Sequence, residues 1–143
     1  MPATTINVPA RLLPQRTPIE LLTIAWRGLA EAESTDSAGQ RYATAHLAAL
    51  RAAAAVLSVR ARPVATGRGP RDTSTWALLV RVAPELSEWA GYFAGSATKR
   101  SAAEAGIGRV SAHEADDLVL AAGEFIQVVQ DKLGLNAQPA MAA

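Results

Sequence analysis

The stretch Gly39–Val59 constrains this chain more than any other: G-Q-R-Y-A-T-A-H-L-A-A-L-R-A-A-A-A-V-L-S-V. Alanine, leucine and arginine dominate it, and each loses little free energy on entering a helix. Ala43, Leu47, Leu50, Ala54 and Leu57 recur at alternating intervals of four and three, which lines them along one side of a helix. Tyr42, His46, Ala49, Ala53 and Val56 form the neighbouring stripe, so the two together make a broad apolar face. So many alanines leave little side chain to hold a neighbour away, which predicts close helix–helix approach. Arg51 and Arg60 fall off the seam towards solvent.

The remaining helices are built around this one. Thr17-Pro18-Ile19-Glu20 combines a capping threonine, a proline at the first helical position and a capping-box glutamate. The helix it starts runs to about Ala32, with Ile19, Leu22, Trp26 and Leu29 inward. Glu31–Asp36 is an acidic break, and Asp36 or Ser37 caps the second helix. Asp72-Thr73-Ser74 can cap a third, whose apolar positions Leu79, Val82, Leu86, Trp89 and Phe93 keep helical spacing straight through Pro84. Pro84 therefore kinks one helix or splits it in two. Gly91 and Gly95 weaken its later part, and Gly106 and Gly108 end it. Ser111-Ala112-His113-Glu114 is a second capping box, with Glu114, Asp116 and Asp117 complementing the helix dipole. Ala115, Leu118, Ala122, Phe125 and Val129 form the seam of that last helix, and Gly134 stops it.

No segment alternates with a period of two, so the predicted fold is all-α, an up-down bundle of four main helices with a kinked or split third. Residues 1–16 hold three prolines and read as an extended arm, residues 17–134 as the bundle, and residues 135–143 as a disordered tail. The expected core is Leu22, Trp26, Leu47, Leu50, Leu57, Leu79, Leu86, Trp89, Phe93, Leu118 and Phe125.

Composition excludes several kinds of function. The chain has no cysteine, which removes disulfides and thiolate chemistry. Two histidines without clustered ligands argue against a metal, and nothing points to a cofactor. A net charge of +1 does not impose a nucleic-acid partner. No apolar run reaches the length of a membrane span, and the N-terminus lacks a secretory pattern, so a cytoplasmic location is expected.

Two groupings carry chemical suggestions. Arg60–Arg71, R-A-R-P-V-A-T-G-R-G-P-R, concentrates Arg60, Arg62, Arg68 and Arg71 in a glycine- and proline-rich loop. It reads either as a solvated connection or as a phosphate-contacting loop, since arginine forks suit anions. Lys99 and Arg100 make a second, smaller basic site. Arg41 and His46, with four residues between them, are the other grouping; the alternative for His46 is a polar edge residue stacked on Tyr42.

R-Y-A-T-A-H-L-A-A-L-R-A-A-A-A-V-L resembles the aromatic and alanine-rich second helix of HEPN domains, and P-E-L-S-E-W-A-G-Y-F-A-G-S-A-T-K-R resembles an actinobacterial branch of that superfamily. The likeness covers roughly Thr17–Gly134 and implies a small all-α domain and a homodimer. Many HEPN domains are metal-independent ribonucleases. Their signature is an Arg followed after about four to six residues by a His: the Arg stabilises charge on the phosphate, and the His moves a proton as the ribose 2′-hydroxyl attacks. Arg41 and His46 match that spacing, although the family carries the motif near its last helix. At that later place stand Arg109 and His113, with three residues between them. Within one helix, the step from Arg41 to His46 turns about 140°. The resulting expectation is a non-catalytic HEPN-like module that binds RNA, nucleotide or a protein partner, without a membrane. The alternative is a toxin-like ribonuclease using Arg41/His46 or Arg109/His113.

Overall fold

Side-chain caps start four of the five helices in the computed structural model, which describes residues 6–9, 15–64, 74–105 and 108–137. Thr17 opens α1 (Pro18–Glu33) with a complete capping box to Glu20. Ser37, rather than Asp36, caps α2 (Ala38–Arg60). Ser74 caps α3 (Thr75–Val82), and Ser111 opens α5 (Ala112–Leu133) with a second box to Glu114. Only α4 (Ser87–Glu104) has no side-chain cap; a 3₁₀ turn, Pro84–Leu86, leads into it. The proline splits the third helix because the residue before a proline is disfavoured in helical geometry, and Ala83 leaves it at φ −141°, ψ 72°. The apolar face survives the break, with Leu79, Val82, Leu86 and Phe93 all buried.

The fold is all-α, as the periodicity implied. α2 runs through its middle, packed by α1 and α5 and more lightly by α3 and α4. It has the length and apolarity of a membrane span, but here its apolar face is covered by the other helices. Its packing corrects the expected seam. The buried positions are Tyr42, Ala45, His46, Ala48, Ala49, Ala52, Ala53, Ala55, Val56 and Leu57, while Leu47 is exposed and Leu50 only half-buried. The small alanine side chains allow close helix contact along this face, and of the three leucines of α2 only Leu57 stays inside it. On α1 the same shift buries Leu21 beside Leu22 and leaves Ile19 exposed. Trp26 and Trp89 cover the core edge rather than filling it.

A short parallel pairing joins β1 (Ile6–Pro9) to β2 (Ala61–Val64), with Ile6 opposite Ala61. The sequence showed no strand, because four residues beside prolines carry no readable alternation. At the other end, Gly134 adopts the left-handed conformation (φ 66°), and Leu135 donates back to the Gln130 carbonyl at 3.1 Å. The chain then stays on the bundle: Leu135 and Ala137 pack against the core. Gln130, buried, fastens three segments through Oε1, which accepts from Trp26 Nε1 at 2.9 Å and from the Ala137 amide at 3.2 Å.

Candidate functional site

Arg41 and His46 leave α2 in different directions, as a turn of about 140° requires. His46 points into the core and is only 2% exposed. Its Nε2 lies 3.1 Å from the Phe93 carbonyl, and since a carbonyl only accepts, Nε2 carries the hydrogen. Its aromatic neighbours are Trp76 and Phe93, at ring-centre distances of 5.8 and 6.5 Å, rather than Tyr42. Phe93 in turn stacks on Trp76 at 5.1 Å and meets Phe125 at 5.2 Å. Burial in this cluster lowers the His46 pKa below its ordinary value, only partly offset by the bond to Phe93. Burial thus favours the neutral ring, and its Nε2–H is given to a backbone oxygen.

Arg41 faces the opposite way, into a groove of about 630 Å³ between α1, the start of α2 and α5. Leu29, Val119, Leu120 and Gly123 supply its apolar surface, and Glu33, Asp116 and Glu124 its carboxylates. One Arg41 terminal nitrogen donates to the Thr35 carbonyl at 2.7 Å and to that of Asp36 at 3.2 Å, which clamps the α1–α2 connection. Its Nε lies 3.1 Å from Asp116 Oδ1. This guanidinium is engaged on both sides before any phosphate arrives.

The later pair is placed differently. Arg109 is exposed in the link before α5. The His113 side chain, in the first turn of α5, is 85% exposed, with Nε2 3.2 Å from Asp117 Oδ2. Of the arginine-rich stretch, Arg68, Arg71 and the side chain of Arg62 lie outside the described residues. Arg60 bonds Glu85 at 2.6 Å, tying the end of α2 to the Pro84 turn, and the arginine holds the Glu85 carboxyl below its usual range. Lys99 pairs with Glu114, and Arg100 lies 4.0 Å from Glu104. Among the described residues, no three His, Asp or Glu side chains cluster as metal ligands would.

Sequence reasoning missed the groove. Leu120 fits no seam in α5, and a large apolar residue off the seam of an amphipathic helix was the signal that could have found it.

The described residues thus form an all-α bundle packed around a central second helix. Residues 32–130 match the SAV_6107-like HEPN family, and the chain belongs to it. No curated protein and no solved structure matches the chain.

Proposed function

We propose that this protein is a non-catalytic HEPN module that binds a protein partner. The observation that carries the reading is the position of His46. A general base must reach its proton within hydrogen-bond distance, and a buried imidazole whose N–H is given to the Phe93 carbonyl has no path to a ribose hydroxyl. Arg41 sits on the other side of the helix, paired with Asp116. The carboxylates beside it repel a nucleic-acid backbone, which favours a protein over RNA or nucleotide as the ligand of the groove.

The test is incubation of the purified protein with single-stranded RNA in EDTA, beside His46→Ala and His113→Ala variants. The expected result is no cleavage by any of the three. A second reading is supported by the open, Asp117-paired His113: a ribonuclease using Arg109 and His113. Cleavage that survives chelation and vanishes in His113→Ala establishes that reading instead. The proposal includes self-association, supported by the exposed Ile19, Leu47 and Val59 on α1 and α2. Sedimentation at tens of micromolar is expected to show a dimer, and a lone 14.9 kDa species refutes it.

A further inference from the structure

Leu120 is 67% exposed in the middle of α5, the most open of the large apolar side chains among the described residues. Asp116 and Glu124 lie one turn before and one turn after it on the same face. Val119 and Gly123 continue that face into the groove, where Leu29 of α1 meets them. Gly123 lets Leu29 of α1 pack close against the α5 backbone at the groove floor: a Cβ there would come within 3.2 Å of Leu29 Cδ2. The rim carries three carboxylates, Glu33, Asp116 and Glu124, against the single guanidinium of Arg41. That guanidinium is already engaged by two carbonyls and by Asp116. The surface is thus an apolar strip with net negative edges.

We propose that this groove docks a basic amphipathic helix from a partner protein. The apolar side of the helix lies on Leu29, Val119 and Leu120, and its lysines or arginines face Glu33, Asp116 and Glu124. This rests on the protein-binding reading above. A helix laid in a groove is recognised through anchors at helical spacing, and the partner's charge must be opposite to the rim. The volume falls within the range of about 300–1,000 Å³ that suits binding clefts. Phosphate-bearing ligands are disfavoured here by the same carboxylates.

The probe is a synthetic amphipathic Leu/Lys helical peptide, titrated into the isotope-labelled full chain, with a Leu/Glu peptide of identical pattern as control. The Leu/Lys peptide is expected to bind saturably, to shift the amides of Leu29, Val119, Leu120 and Gly123, and to weaken with salt. Leu120→Ser and the double variant Glu33→Lys/Glu124→Lys are each expected to weaken it by about tenfold or more. These three side chains are exposed, so unchanged melting curves confirm that the variants fold. Equal binding by parent and variants, equal binding of the Leu/Glu peptide, or shifts confined to another face overturns the proposal. So does a short single-stranded RNA that shifts the same amides, or a parent dimer that Leu120→Ser alone dissociates, which would make a second copy the occupant. Cleavage of that RNA in EDTA would refute the non-catalytic reading while leaving the peptide result to stand or fall separately.

Discussion

The two sides of α2 are chemically opposite. On one, His46 meets Trp76 and Phe93, which pack in turn on Phe125 in a buried aromatic cluster. On the other, a little over one turn earlier, Arg41 lines an open groove edged by Glu33, Asp116 and Glu124. The two residues satisfy a catalytic spacing in sequence and occupy different solvents in the fold. A spacing motif specifies residue types and separation along the chain. Catalysis also needs a shared, accessible volume, and a helix delivers that only to positions on the same face. In the interior the imidazole is a neutral packing group with one bond; in the groove the guanidinium is a clamp on the α1–α2 connection.

The sharpest way to break this contrast is at the ring around which the interior is built. Phe93→Ala is expected to cost roughly 3–5 kcal/mol in chemical denaturation, because the side chain is fully buried among four aromatic neighbours. A loss below about 1 kcal/mol would mean that the cluster is not a close-packed core.

Next comes the pH dependence of the buried histidine. Its folded pKa is lowered from the ordinary 6.5, chiefly by burial. Above pH 6.5 both states are neutral and the contribution to stability is complete. As pH falls below that value the unfolded chain takes up a proton that the folded chain refuses, so stability declines, by at most about 1.4 kcal/mol per pH unit for one proton. Carboxylates titrate mainly near about pH 4, so the upper part of the window isolates histidine. Urea denaturation across it is expected to show the decline in the parent and a flatter profile in His46→Leu. Equal slopes would place the imidazole in water.

The smallest effects belong to the open side. Arg41→Ala is expected to cost about 1 kcal/mol, from two charge-assisted bonds set against solvent screening of a pair whose Asp116 side is 65% exposed. His113→Ala, on a side chain 85% exposed, is expected to stay within about 0.5 kcal/mol of the parent. Thermal and denaturant midpoints of the two variants check both, and a loss from His113→Ala as large as that from Phe93→Ala would erase the distinction between interior and surface.

What could be read from the sequence alone were the features set by neighbours along the chain. Thr17 with Glu20, Ser111 with Glu114, and Gly134 are start and stop signals whose bonds close within a few residues, so the helix boundaries follow from local chemistry. The all-α class followed from apolar spacing, and the family from the resemblance of two segments, which the match over residues 32–130 bears out. Tertiary structure decided which stripe of α2 is inside. Leu47 and His46 are adjacent and both fit an apolar face, but only the positions of α3, α4 and α5 determine that the histidine is buried and the leucine exposed. It also decided the pairing of Ile6–Pro9 with Ala61–Val64 across more than fifty intervening residues, and the groove in which Arg41 of α2 meets Asp116 of α5. Those outcomes depend on contacts between segments far apart in the chain, whose free energy no local pattern encodes.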